Sequence, residues 1–189
     1  MRNRAAQTAL INIIAGEYMS GTLNILCGKI GSGKSTLAAK MAHDGSAVMS
    51  LDDKVFQRTQ HLRDPKNDYR LDEATLRRAE AEVCRENLDA ATQMLRDGKS
   101  VVFDCGFWKK SDRDAFRKVA EELGAEFVLY YLEVSDAEQS ARVGARNEGD
   151  LTSVHYISNE ELVLFNQRFE PPFGEGEIVV NSNGTQRRR

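Results

Sequence analysis

The sequence has no surplus of positive charge: 26 Lys and Arg stand against 29 Asp and Glu, a formal charge of −3. That balance argues against a protein whose affinity comes from coating a polyphosphate chain, because no basic excess exists to release counterions. A local basic groove stays open as an alternative. The sequence also lacks any run near the roughly 18 consecutive apolar residues of a membrane-spanning helix, so no membrane partner is expected. The nearest candidate, Ala5 to Gly16 behind Arg2 and Arg4, is broken by Gln7, Thr8 and Asn12, and no small-residue cleavage site follows it. Residues 1–20 are therefore read as an N-terminal extension or short helix, or as an over-extended reading frame whose natural start is Met19. Cysteine is scarce and odd in number: Cys27, Cys84 and Cys105. These are expected to be reduced thiols in a cytoplasmic protein, each a small buried apolar side chain. His43 and His155 have no metal-ligand partners at suitable spacing and receive no chemistry. Repeats, low-complexity stretches and interdomain linkers are absent.

What is present suits one folded unit of 189 residues, with 41% hydrophobic residues to build a core. Short apolar runs at Leu23–Cys27, Ala47–Ser50, Ser100–Asp104, Glu126–Leu132 and Ile178–Val180 read as strands. Between them, helices are expected at Thr36–His43, from Asp52 as N-cap to about Gln60, and over Asp72–Asp97. The last of these carries a stripe of Leu76, Cys84, Leu88, Ala91 and Leu95 and ends at Gly98. Capping boxes at Ser111–Asp114 and Ser135–Glu138 open two more helices, and a final one begins near Ser158. Arg58 to Arg70, polar and containing Pro65, is expected to be loop, and the tail 182–189, without apolar content, a disordered end. Strands alternating with helices, with near-continuous apolar runs, imply an α/β three-layer sandwich around a five-stranded parallel sheet.

The sharpest signal is Gly28-Lys29-Ile30-Gly31-Ser32-Gly33-Lys34-Ser35, which fits G-x-x-x-x-G-K-[ST] at every constrained position. Its glycines let the backbone curl so that successive N–H groups point at nucleotide phosphates. Lys34 then reaches the β- and γ-phosphates, the Ser35 hydroxyl suits Mg²⁺, and the helix from Thr36 onward turns its positive end to the same anion. The motif follows an expected strand and opens an expected helix, the context that gives it meaning.

On these residues the chain resembles the small P-loop kinases, in particular the zeta-toxin-like and polynucleotide-kinase-like group of AAA-type ATP-binding proteins. The resemblance covers about Leu23 to Val180 and implies a P-loop NTPase domain over residues 21–181, similar to nucleoside monophosphate kinases in fold. It implies ATP and Mg²⁺ as cofactors and transfer of a γ-phosphoryl group to a hydroxyl. Asp52, just after the second strand, falls where such kinases place the acid that addresses the acceptor hydroxyl and takes its proton. Capping its own helix is the other role open to Asp52. Asp104, at the end of the third strand, would hold the magnesium shell or bind the acceptor, or be a solvated strand-end carboxylate. Arg142 and Arg146, four apart on one helix face before Asn147-Glu148-Gly149-Asp150, match the lid arginines that close over the triphosphate. A surface ion-pair helix is the alternative for Arg142.

The acceptor is less constrained. Arg58, His61, Arg63, Lys66, Tyr69 and Arg70 form a basic and aromatic cluster that suits an anionic substrate, a strand of nucleic acid or only solvent. Polynucleotide kinases carry an arginine three residues after the catalytic aspartate, where this chain has Val55. Nucleic acid is therefore disfavoured, and a small-molecule hydroxyl acceptor is the expected partner. A polynucleotide 5′-hydroxyl kinase and a regulatory ATPase without acceptor are the alternatives. The single tryptophan, Trp108, is open to two readings, a wall of the acceptor pocket or a core aromatic. Arg168-Phe169-Glu170-Pro171-Pro172 reads as prolines ending a helix.

Overall fold

The computed structural model describes residues 21–62, 71–149 and 156–189. The extension 1–20, together with Arg63, Lys66, Tyr69, Arg70, Asp150 and His155, lies outside the described residues. The strands are β1 (Thr22–Cys27), β2 (Ala47–Ser50), β3 (Ser100–Gly106), β4 (Glu126–Leu132), β5 (Ile178–Val180) and β6 (Gln186–Arg188). The α-helices are α1 (Lys34–His43), α2 (Asp52–Thr59), α3 (Glu73–Arg96), α4 (Lys110–Leu123), α5 (Asp136–Asn147) and α6 (Asn159–Arg168). A 3₁₀ turn, Gln60–Leu62, extends α2 into the segment expected to be loop.

One sheet orders the strands β2-β3-β1-β4-β5-β6. The first five are parallel, and β6 pairs antiparallel with β5. Alternate residues of the central strands serve opposite faces. Leu23, Ile25, Cys27, Val101 and Phe103 pack with Ala91 and Leu95 of α3 and Ala120 of α4, whereas Leu26 and Val102 pack with Ala38 of α1. With both faces covered, β1 and β3 are buried over most of their length, which is why they read as apolar runs in the sequence. Parallel strands bring their carboxyl ends to one rim, so Gly28, Asp52 and Asp104 converge there. At the opposite rim the chain turns from helix to strand at 44–46, 97–99 and 124–125.

The structure corrects several expectations. The sheet has six strands rather than five, because residues 182–189 turn back along β5 instead of forming a disordered tail. Arg187 and Arg189 both reach Glu133, at 3.6 and 3.5 Å, which gives this polar strand something to hold. Helix α1 starts at Lys34, two residues before the expected Thr36. Cys84 is exposed, and the buried stripe of α3 runs through Ala79, Val83, Asn87, Ala91 and Leu95. Helix α4 is not opened by Ser111, whose hydroxyl donates to Asp112. Its first free amide, that of Lys110, donates instead to Glu170 Oε2 at 2.7 Å. Ser135 and Ser158 do cap α5 and α6.

Candidate active site

The loop between β1 and α1 is built for an anion. Gly31 and Gly33 have φ of 75° and 99°, left-handed values that turn successive amides inward. Gly28 is required for a different reason: a Cβ there would stand 2.6 Å from Ser32 Oγ and 2.8 Å from the Leu132 carbonyl oxygen. Gly33 is also the N-cap of α1 and offers no side chain to its first-turn amides. Those N–H groups are thus left for a ligand at the positive end of the helix. Beside the loop lies a cleft of about 640 Å³ lined by Ile30 to Thr36, Lys40, Asp52, Asp104, Arg142 and Arg146.

Lys34 sits at the heart of this cleft and donates to the carbonyls of Gly28 and Lys29, each at 2.9 Å. Burial lowers its pKa, against the pull of the Asp104 and Asp52 carboxylates. Asp52 shows the mirror effect. The residue is exposed on the open side of the cleft, yet the protein crowded around its carboxyl group, with Asp104 adding repulsion, pushes its pKa above the usual carboxylate value. It does not cap its helix: Leu51 is the N-cap and makes no side-chain cap bond, and it is Ser50 Oγ that accepts from the Asp53 amide, at 3.3 Å. The carboxylate is therefore not committed to a structural hydrogen bond at the helix start.

The two arginines differ. Arg142 donates to the Gly31 and Ser32 carbonyls at 3.2 and 3.4 Å and has Glu138 at 3.9 Å, so it braces the loop from α5. Arg146, one turn on, is half-buried at the cleft with its Nε lacking a hydrogen-bond partner, and burial lowers its pKa while Asp52 raises it. Ser32 Oγ is likewise buried and unpartnered. Two unsatisfied polar atoms at one cleft fit a polar ligand that would complete them.

Among the expected residues, Gly28 and Lys29 stand at the start of the loop, and Ile30, Gly31, Ser32, Gly33, Lys34, Ser35 and Thr36 line the cleft with Asp52, Asp104, Arg142 and Arg146. Lys29 itself turns away to pair with Asp136 at 2.7 Å. Ser35 and Asp104 supply a hydroxyl and a carboxylate, oxygen donors suited to a hard cation such as Mg²⁺. No group of three or more His, Cys, Asp or Glu gathers among the described residues, so the phosphates of a nucleotide would provide further oxygens. Other expectations fall away from the cleft. Trp108 packs on Phe165 at 5.2 Å and joins the core. Arg58 is held by Glu86, at 2.8 Å, and by Glu82. Val55 is buried against α3.

The sequence reading missed one wall. Asn181, Ser182, Gly184 and Gln186, at the turn between β5 and β6, also line the cleft. The dipeptide Asn183-Gly184 after a strand is a hairpin signal that would have found them.

The sequence matches the family described as AAA domain (AAA_33) over residues 23–172. The chain belongs to this family. Solved structures place this AAA domain in the fold of the small P-loop kinases. It is similar to a candidate kinase of Chloroflexus aurantiacus J-10-fl at 18% identity and a TM-score of 0.65, over 86% of this chain and 84% of that one. A gluconokinase of Sinorhizobium meliloti 1021 matches at 21% identity and a TM-score of 0.54, over 86% and 83%. The APS kinase CysC of Mycobacterium tuberculosis, solved with AMPPNP and APS, matches at 19% identity and 0.54, over 88% and 91%. No curated protein matches the sequence. Among the described residues no helix is long and apolar enough to cross a membrane.

Proposed function

We propose that this AAA domain is an ATP- and Mg²⁺-dependent phosphotransferase that phosphorylates a hydroxyl group of a small molecule. The observation that carries the reading is the placing of Asp52, uncommitted to capping, in one cleft with Lys34, Asp104 and Arg146 beside the anion-binding loop. When bound, ATP supplies the phosphoryl group and Mg²⁺ spreads its negative charge. The loop amides and Lys34 hold the phosphates. Ser35 and Asp104 are the side chains that would hold the cation. Asp52 orients the acceptor hydroxyl and takes its proton as the new O–P bond forms, and its raised pKa, caused by burial and by Asp104, strengthens it as a base. Arg146 offsets charge on the group in transit, with Arg142 one turn before it on α5 closing beside it, and the two limit entry of water. Likeness of fold to a gluconokinase and an APS kinase supports a small acceptor, and the pairing of Arg58 with Glu82 and Glu86 removes the arginine best placed to stand in at Val55 for a nucleic-acid phosphate.

The test follows phosphate from labelled ATP into a panel of hydroxyl metabolites, antibiotics and a 5′-hydroxyl oligonucleotide. Label is expected in a small molecule. Label in the oligonucleotide alone would establish the polynucleotide kinase instead, and slow hydrolysis unaffected by any acceptor would point to a regulatory ATPase. Lys34→Ala and Asp52→Asn should each abolish transfer, with Asp52→Asn still binding Mg·ATP. Full transfer by Asp52→Asn would remove that residue from the mechanism.

A further inference from the structure

Helix α5 follows the phosphate loop residue by residue. Asp136 pairs with Lys29, Gln139 donates to the Ile30 carbonyl at 3.1 Å, and Arg142 donates to the carbonyls of Gly31 and Ser32. Val143 packs so close that a Cβ on Gly31 would lie 3.2 Å from its Cγ2. Two of these contacts use charged side chains open to water, where such pairs hold weakly. Gln139 is different, being 1% exposed.

The amide of Gln139 is also locked from behind. Its Nε2 donates to Asn166 Oδ1 at 3.0 Å, and Asn166 Nδ2 donates back to Gln139 Oε1 at 2.9 Å. This exchange fixes the orientation of the Gln139 amide. Rotating it by a half-turn would set oxygen against the Ile30 carbonyl and against Asn166 Oδ1, and nitrogen against nitrogen. Asn166 stands on α6, whose end is anchored in turn: Phe169 stacks on Tyr131 at 6.1 Å, and the Glu170 carboxylate and carbonyl accept from Lys110 N and Arg113. A rigid path therefore runs from the core through α6 to a single carbonyl of the loop.

We infer that Gln139, oriented by Asn166, is a positioning residue for nucleotide binding: by holding the Ile30 carbonyl outward it keeps the following amides turned toward the phosphates. The inference rests on the nucleotide-binding reading above. Gln139 is not among the residues that line the cleft and acts through the backbone of Ile30 and Gly31. A loop whose amides must be reordered at each binding event loses affinity, since preorganisation is what the donors contribute.

The test measures the Kd of Mg·ATP by titration calorimetry, the Tm of the nucleotide-free protein, and the backbone amide resonances of the loop. Gln139→Leu keeps the volume and removes the donor, and is expected to weaken Mg·ATP about tenfold, the factor set by one well-placed hydrogen bond. The amide resonances of Gly31, Ser32 and Gly33 should shift with it. Asn166→Ser, at a half-buried site where folding is less at risk, frees the Gln139 amide and should weaken binding severalfold. A purely structural role would lower the Tm of both variants while leaving Kd, measured well below that Tm, within twofold of the parent and the loop resonances in place. That result would overturn the inference. Failure of the unaltered protein to bind Mg·ATP would instead overturn the nucleotide reading itself.

Discussion

Asp52 is a carboxylate kept under pressure. Burial and the neighbouring Asp104 raise its pKa, so the folded protein holds that proton more tightly than the unfolded chain does. A group of this kind withdraws stability as pH rises through its folded pKa. Asp52→Asn is therefore expected to raise the Tm of the nucleotide-free protein at pH 7. The gain should fade as pH falls, and vanish below about 3.9, the ordinary Asp value, where both states are protonated. Scanning calorimetry at neutral and acid pH checks this, and a lower Tm at pH 7 would contradict it. Lys34 is displaced the other way, its ammonium pKa lowered by burial. On the proposed mechanism, transfer needs Asp52 ionised and Lys34 protonated. The rate–pH profile should thus be a bell whose acid limb lies above the range of a free carboxylate and whose alkaline limb lies below that of a free lysine.

At the scale of elements, the segment after α6 proves to be a clamp. Its Glu170 accepts from the Lys110 amide and, through its carbonyl, from Arg113. Arg113 is 1% exposed and makes a two-pronged contact with Glu175, at 2.8 and 2.7 Å, while donating to the Phe107 carbonyl at 3.0 Å. Removing one partner of a buried ion pair leaves the other uncompensated. Arg113→Ala is expected to destabilise the fold by about 3–5 kcal/mol in urea denaturation. Glu170→Gln should cost only about 1 kcal/mol, the scale of a lost helix cap. These contacts also mark where the sequence stops being readable. Strands β2, β4 and β5 are bounded in the sequence as in the structure because burial on both faces leaves an unbroken apolar run. Ser135 and Ser158 cap their helices because their partners lie three residues on. The cap of α4 comes from sixty residues away, so nothing near Ser111 could announce it. Cys84 and Val83 are adjacent on a helix, and only the angle at which α3 meets α2 and the sheet selects Val83 for burial.

For the molecule as a whole, the site is legible because it is local. Gly28 to Ser35 is one uninterrupted motif, and Asp52 and Asp104 are placed by the ends of parallel strands that the motif itself anchors. The wall at Asn181 to Gln186 is announced only by its Asn183-Gly184 turn, because the strand that follows has no apolar content and is held by Glu133 at the end of β4. Deleting residues 182–189 is expected to lower Tm by several degrees, as β5 loses its antiparallel partner. The same deletion should weaken Mg·ATP binding, since Ser182, Gly184 and Gln186 leave the cleft. Calorimetry of the shortened chain measures both effects, and unchanged binding would show that this wall does not meet the nucleotide.

The turns at the far rim have a practical use. Gly45 and Gly124 lie there with nothing within 4 Å of where a side chain would begin, and they face away from the convergence of Gly28, Asp52 and Asp104. Fluorescent reporters or affinity handles spliced in beside either glycine, with the glycine itself kept for its φ of 99° or 65°, would ride on the molecule without crowding whatever enters from the opposite side.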